Sequence, residues 1–361
     1  MLESFILKEE DAVRIGHDNL RKTTTSIFEK LGVPSADAAV AADVLVMADL
    51  RGVDSHGVSN MLPSYVQGYV NGRINPNPDW KILRERPATA NIDSDLALGI
   101  IIAPKAMEIA ITKARKTGMG VVTMGRAGHV GMAAYHAMLA LPHDMIGVCL
   151  SGTPPMVLPT FGAEQRLGTN PIAVAVPTNN EAPFVLDIAT SVVAINKFRI
   201  AKRLGATIPG GMIADMEGTP IMEPGLVPDE FMGLPAGALR ELGSHKGYGL
   251  ACVVEVLSTI LGGFGFAARN TRNSPGGFAH YVAAYDIDAF TDVPEFKETM
   301  DDFLQTLKAT RPAPGHKRVL VPGQIEVEAT EERIAHGIPL HKEVVEWFHG
   351  TCAEFNVVCD F

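Results

Sequence analysis

The chain has little cysteine, no excess of positive charge and no long uninterrupted apolar run, and each shortage removes a class of function. Its four cysteines, Cys149, Cys252, Cys352 and Cys359, include no Cys-x-x-Cys pair and no regular spacing, so a disulfide framework is not expected. Cys149 and Cys252 sit in apolar surroundings and read as buried thiols, which fits a reducing compartment. Lys and Arg total 31 against 41 Asp and Glu, a net charge of −10 without a basic run, so nucleic acid is not an expected partner. The longest apolar stretches are broken by Asp144 or Glu255 before they reach the length of a membrane span. The opening MLESFILKEEDAVR has no basic segment followed by an apolar one, as a secretory signal would. Together these absences predict a soluble cytoplasmic protein with no membrane partner.

Several catalytic signatures are missing too. The sequence contains no GxxxxGK[ST] phosphate loop, no HExxH and no GxSxG elbow. Its histidines lack HxH or HxxxH spacing with acidic partners, so no metal site is expected. Gly263, Gly265 and Ala268 match a loose GxGxxA pattern, but they follow a helical segment and precede RNTRNSP. Without a strand before and a helix after them, such glycines have no pyrophosphate to approach, and the match is read as chance.

What is present is an ordinary globular composition, 47% hydrophobic over 361 residues, enough for sizeable cores and two or three domains. Two helices joined at Gly32 and Pro34 are predicted near the start, the second capped by Ser35 and ending between Asp49 and Gly52. The Pro- and Asn-rich NGRINPNPDWKILRERP from Asn71 reads as a connection. Strands and helices then alternate to about residue 200: helix APKAMEIAITKARKTG, strand GVVTM, helix AAYHAMLAL, strands MIGVCLSG and FVLDIAT, helix SVVAINKFRIAKRLG. A further helix, KGYGLACVVEVLSTILGG, precedes the strand HYVAAYDI and two helices around EFKETMDDFLQTLKA and HKEVVEWFHG, linked by RPAPGHKRVLVPG. The pattern is α/β.

Four groups set polar residues among glycines, where backbone and ligand can approach closely. They are Ser55-His56-Gly57; Gly128-His129-Val130-Gly131; Thr169-Asn170 with Asp187 and Thr190-Ser191; and His245-Lys246-Gly247. Each alone is as compatible with a turn or a helix cap as with a site. Lys246 is the exception that leans towards a ligand, since a lysine at a helix start opposes the dipole unless an anion sits there.

Taken in order, the blocks ADLRGVDSHGV (48–58), GHVG (128–131), MIGVCLSGTPPMVLPTFG to LGTNPIAVAVP (145–177), LDIATSVVA (186–194), SHKGYGLA (244–251), and VLVPGQIE with RIAHGIPL (319–340) resemble the malate/L-lactate dehydrogenase family of the non-Rossmann type. That family also contains ureidoglycolate, sulfolactate and diketogulonate oxidoreductases and a cyclic-ketimine reductase. The resemblance covers nearly the whole chain. It implies a non-Rossmann NAD(P)-binding α/β fold with a mixed sheet and helical N- and C-terminal parts. It also implies a homodimer whose active site lies near the subunit interface. The expected division is a helical substrate and dimerisation domain of residues 1–85 with 282–361, and a cofactor-binding domain of residues 86–281.

By the same resemblance, His56 is the acid/base for hydride transfer to a carbonyl, Ser55 contacts substrate, and Gly57 keeps the loop open to it. His129 is a second active-site histidine, and Asp187 the carboxylate that orders the site. Thr153, Thr169, Asn170, Thr190, Ser191, Lys197, His245, Lys246 and Gly247 fall on segments that line the cofactor, NAD or NADP. Lys197, Arg199, Lys202 and Arg203 form a basic face turned either to the adenosine end or to solvent.

Two departures stand out. The family's SHGxxR arginine, a natural fork for a substrate carboxylate, is Asn60 here, and the nearby tyrosine is shifted to Tyr65. Either Arg51 or another residue holds the carboxylate, or the substrate is not a simple 2-oxo acid. The family's Gly-Lys after Ser-x-x-Ala is Asn196-Lys197, which leaves cofactor preference open. Three readings follow: a dehydrogenase of a small 2-hydroxy acid such as malate or lactate, a reductase of a cyclic imino acid or larger hydroxy acid, or an inactive nucleotide-binding homologue.

Overall fold

The structure is a computed structural model that describes residues 5–269 and 277–361. Near the start, strand β1 (Ala12–Ile15) leads into three helices, α1 (His17–Lys30), α2 (Ser35–Leu50) and α3 (Val58–Val70). In α2 the alanine and valine residues leave almost no polar face, and it is buried on most sides, from Ala38 to Leu50. Pro34, not Ser35, takes its N-cap position, and Ser35 is the first helical residue. Leu20, Ile27 and Phe28 of α1, Leu45 of α2 and Leu62 of α3 form a core with Phe348 from the far end of the chain.

A seven-stranded sheet follows, made of β2 (Lys81–Arg86), β3 (Thr89–Asp93), β4 (Met119–Ala127), β5 (Met145–Gly152), β6 (Ile172–Val176), β7 (Phe184–Ile188) and, later in the chain, β10 (Phe278–Asp286). Its order is β2-β3-β4-β10-β5-β6-β7. Helix α4 (Gly99–Thr117) is the crossover of the parallel pair β3 and β4, and every other neighbouring pair is antiparallel. The alternation of helices and strands therefore does not make a parallel sheet, because β10 returns from the C-terminal side to separate β4 from β5. Helices α4 and α5 (Ala133–Met138) lie almost on the strands. A Cβ on Gly120 would meet the Ala110 carbonyl at 1.9 Å, and one on Gly147 the Ala137 carbonyl at 1.9 Å. Met107, Val122, Met124, Cys149 and Val282 fill the core between them.

After β7 come α6 (Asn196–Arg203), the two-residue pair β8 (Ile213–Ala214) and β9 (Met232–Gly233), and α7 (Ser244–Glu255), which runs on into a π-helical turn, Val256–Ile260. Helices α8 (Val293–Lys308), α9 (Gln324–His336) and α10 (Lys342–Phe355) close the chain, with β11 (Ile338–His341) paired antiparallel to β1. The mixed sheet with helical ends is the architecture expected. Among the described residues, no helix is long and apolar enough to cross a membrane.

Several local expectations change. The boundary expected at 85/86 falls inside β2 and that at 281/282 inside β10, the central strand, so both cut the same sheet. The second half of the Asn71 connection is β2, an edge strand whose six residues are all exposed and mostly charged, which discourages pairing with another chain. Helix α6 starts five residues later than the basic helix expected from Ser191, and α9 and β11 were not anticipated. The GxGxxA match runs from the π turn into a short 3-10 turn, Ala267–Arg269, with no strand before it.

Candidate active site

Where α2 ends, Gly52 turns the chain at φ +71° and the loop carries Ser55, His56 and Gly57 into α3. Ser55 Oγ and His56 Nδ1 lie 2.9 Å apart. Beneath them the buried Asp49 carboxylate accepts the Val58 N–H at 2.8 Å, satisfying a free donor at the start of α3. A Cβ on Gly57 would lie 1.8 Å from Asp49 Oδ1. Glycine is therefore needed here to pack on Asp49, a correction to the expectation that it holds the loop open. Burial, with Asp54 nearby, pushes the Asp49 carboxyl well above its usual range. Arg333 of α9 ties the loop down by binding the Asp54 carboxylate and the Asp49 carbonyl.

His129 reaches the same point from the loop after β4. Its ring stacks on His56 with centroids 5.6 Å apart and planes 15° apart. His129 Nδ1 accepts the Gly131 N–H at 3.1 Å and lies 2.7 Å from the Tyr65 hydroxyl, which assigns the ring proton to Nε2. Phe278 at the start of β10 meets the His129 ring edge-on, 5.5 Å between centroids. Behind this pair, His280 bridges Ser151 Oγ (2.9 Å) and the Gly128 carbonyl (3.0 Å), and His136 holds the Val130 carbonyl (2.8 Å). The His129 loop is thus fixed on both sides. Burial, helped by the Lys197 charge, lowers His56 to about 4, and burial with the neighbouring imidazoles takes His129 well below the ordinary histidine range.

Two cavities meet at these rings. The first, about 310 Å³, is walled by Met61, Tyr65, Ile74, Leu98, Met156 and Phe278. The second, about 410 Å³, is bounded by Arg51, Asp54, the 129–134 loop, Asp187, Ser191, Lys197 and Glu326. His56, His129, Thr153, Thr169 and Ala194 line both, so the two are lobes of one cleft. Both volumes lie in the range of small-molecule sites.

The second lobe gathers charged side chains of both signs, Arg51 and Lys197 with Asp54, Asp187 and Glu326. Arg51 is 8% exposed, and its Nε and Nη2 are buried without a hydrogen-bond partner. Asp187 opens onto this lobe and accepts the Ala134 N–H at 2.8 Å. The residue is exposed towards the cleft, and the walls packed around it desolvate the carboxylate. Its pKa is pushed up to about 6, against the pull of that N–H and of Arg51. The Lys197 ammonium is lowered by the same desolvation. Unpartnered donors, backbone groups at the turn of Gly131 (φ +67°) and two threonine hydroxyls fit the polar nicotinamide half of a dinucleotide.

Other expected site residues are placed differently. Asn170, at φ +36°, is fully buried; its Oδ1 accepts the Thr153 N–H (3.0 Å), and its amide donates to Glu255 (3.1 Å) and the Ala251 carbonyl (3.0 Å). Thr190 donates to the Thr169 and Asn170 carbonyls. Asn170 and Thr190 line neither lobe; they fasten the Thr153–Thr169 wall that does. Of the three expected substrate contacts, Tyr65 lines the first lobe and Arg51 the second. Asn60 faces α6, donating to the Asp54 carbonyl (3.3 Å) and accepting from Arg203 (3.4 Å), so it does not stand in for a substrate arginine. His245 and Lys246 lie exposed at the start of α7, where Arg240 meets His245 Nδ1 at 2.9 Å, and Gly247 packs on Ala236. None of these three borders the cleft in this chain.

The basic face of α6 is divided. Lys197 enters the second lobe and Arg199 the first, Lys202 pairs with Asp229 (3.0 Å), and Arg203 binds the Ser59 carbonyl. Sequence reasoning missed Arg73, Met156, Phe278 and Glu326. Each sits outside the glycine-flanked groups and reaches the cleft only through the fold.

The model of the family described as malate/L-lactate dehydrogenase matches residues 15–348. The malate dehydrogenase of Pyrococcus abyssi is 41% identical over 344 residues, covering 94% of each chain. The L-sulfolactate dehydrogenase of Methanocaldococcus jannaschii is 38% identical, covering 94% of this chain and 96% of its own. The solved structure of malate dehydrogenase from Pyrococcus horikoshii OT3 superimposes with a TM-score of 0.90 at 36% identity, over 98% of both chains. On matches of this length, the chain belongs to the malate/L-lactate dehydrogenase family.

Proposed function

We propose that the cleft interconverts a small 2-hydroxy acid and its 2-oxo acid, with His56 as the acid/base. Family membership makes the chain an oxidoreductase that uses NAD(P)(H) on small hydroxy or oxo acids. The observation that supports the finer reading is the junction of two lobes at one stacked histidine pair, since hydride transfer requires two molecules to meet beside a proton donor.

When bound, the nicotinamide supplies or accepts the hydride. The residues that would hold it border the second lobe: the 129–134 loop, Thr153, Thr169, Asp187 and Ser191, with Arg51 offering its unpaired N–H groups. Substrate takes the first lobe. With the Ser55 hydroxyl on Nδ1, Nε2 of His56 is the nitrogen left for the substrate oxygen. Held neutral by burial, His56 is ready to take the hydroxyl proton during oxidation. An anionic substrate beside it raises its pKa, so the imidazolium can return the proton during reduction. Tyr65 and Gly131 fix the His129 ring against which His56 stacks.

We also propose a homodimer, supported by the apolar stripe that Leu250, Val253, Val256, Ile260 and Leu261 expose along α7 and its π turn. Val253→Asp would shift the chain towards monomer in sedimentation; an unchanged mass would remove this face from the interface.

The functional test is fluorescence titration with NADH and NADPH, then addition of 2-oxo acids and cyclic imines in the same cuvette. Cofactor binding followed by oxidation with a 2-oxo acid is expected. Oxidation by cyclic imines alone would overturn the substrate assignment, and binding without turnover would favour an inactive homologue.

A further inference from the structure

Away from the cleft, the fold brings together two of the four free cysteines, Cys352 and Cys359. Helix α10 ends at Phe355, and Asn356, at φ +51°, turns the backbone so that the Val357 N–H reaches the Cys352 carbonyl at 2.8 Å. Residues 357–361 then run back along the helix. The ring of Phe361 meets that of Phe348 edge-on with centroids 5.3 Å apart, and His349 Nε2 donates to the Phe361 main-chain oxygen at 2.6 Å. Asp360 pairs with Lys22 of α1 at 2.8 Å. The segment is therefore held at both ends.

Between these anchors the spacings match. The helical turn from Phe348 to Cys352 rises about 6 Å, and two extended residues from Phe361 back to Cys359 span about the same length. Cys359 falls opposite Cys352, and the two thiols share a hydrogen bond. Cys352 is 2% exposed in the core that Phe348 shares with α1, α2 and α3, and Cys359 is half-buried against that core. Burial, with Cys359 beside it, pushes the Cys352 thiol up to about 12, which makes it a poor starting nucleophile. Cys359 is the one that a reagent in solution can reach.

We propose that Cys352 and Cys359 are a redox modification site, forming a reversible disulfide that clamps residues 357–361 onto α10. The oxidant is a low-molecular-weight disulfide such as oxidised glutathione. The Cys359 thiolate attacks one sulfur of the oxidant and releases one glutathione thiolate, leaving a mixed disulfide. Cys352 then gives up its proton and attacks the Cys359 sulfur, so that the mixed disulfide breaks and the second glutathione thiolate leaves. The protons lost by the two cysteines end on the two glutathiones; two thiols are oxidised and one disulfide is reduced. Because the fold already apposes the sulfurs, the folded chain favours the bond over the unfolded one, and the bond in turn stabilises the fold.

The test equilibrates the full chain, native and in guanidinium chloride, in buffers of graded reduced and oxidised glutathione. The samples are quenched in acid, alkylated after denaturation and mapped by mass spectrometry. Trypsin leaves both cysteines in residues 343–361, so the disulfide reads as the loss of two hydrogens and of both alkylation sites in one peptide. Cys149, in the sheet core, and Cys252, on α7, serve as internal controls. The native chain is expected to be half-oxidised at a ratio of squared reduced to oxidised glutathione about 10-fold or more above that of the denatured chain. Oxidation should raise Tm by several degrees, reversibly with dithiothreitol. Cys359→Ser should abolish both effects, and Cys352→Ala should leave only a glutathione adduct on Cys359. Equal midpoints for the native and denatured chains, a lasting adduct on Cys359 with Cys352 still alkylated in the unsubstituted chain, or a Tm unmoved by oxidation would each overturn the proposal.

Discussion

Asp187 and His56 face the same lobe with their ionisation pushed in opposite senses. Burial lifts the Asp187 carboxyl to about 6 and drops the His56 imidazole to about 4. Between these values the empty cleft holds a neutral carboxyl and a neutral imidazole; above about 6 the carboxylate forms and balances Arg51. In the direction of hydroxy-acid oxidation, kcat/KM should therefore decline as pH falls through about 6, while His56 stays neutral until about 4. Because kcat/KM reports groups of the free enzyme, Asp187→Asn should remove the limb near 6. A limb that persists unchanged in that variant would assign it to another group. His56 was legible at this scale because a histidine between serine and glycine stands in a block that resembles a known family. Asp49 and Arg73 were not, since nothing in ADLRGV or NGRINP shows which side chain lies under the loop or at the mouth of a cavity.

The elements around the cleft are joined by close approaches that tolerate little change. Helix α2 delivers Asp49, α3 begins on it, and Gly57 fits between them with no room for a side chain. Gly57→Ala is expected to displace the Ser55–His56 loop and lower kcat by about 10-fold or more, with thermal stability also reduced, since a shift of about 1 Å can cost that much. Unchanged kcat would show that the loop absorbs the methyl group without moving His56. Strands such as Met145–Gly152 and Phe184–Ile188 were readable from their apolar runs. Helix α9 was not, because it buries none of its residues and so carries no apolar periodicity to detect. The charged strand β2 was hidden for the same reason: an edge strand with both faces exposed lacks the alternation that marks a half-buried one.

Across the whole molecule, desolvation lowers four histidines, His56, His136 and His280 to about 4 and His129 well below its ordinary value; His136 and His280 are fully buried, while His56 and His129 are half-buried at the cleft. In the unfolded chain they titrate near 6.5, so between about 4 and 6.5 the unfolded state binds more protons and acidification favours it. Asp49 and Asp187, raised by burial, work in the opposite sense, two groups against four. Tm should therefore fall by several degrees from pH 7 to pH 5; a flat or rising Tm would mean that the imidazoles are hydrated in solution. The sheet order was beyond the sequence, because the partner of β4 and β5 lies more than a hundred residues away in β10, and only the family resemblance pointed to a mixed sheet. That topology brings the His56 loop, the His129 loop and Phe278 to one point, and the account stands or falls there. The most direct test is a stopped-flow single turnover of reduced cofactor with the preferred 2-oxo acid, comparing the unsubstituted chain with His56→Ala. A loss of about 100-fold or more in the oxidation rate is predicted for removal of the proton donor, whereas a rate within about threefold would remove His56 from the chemistry and the reading built on it.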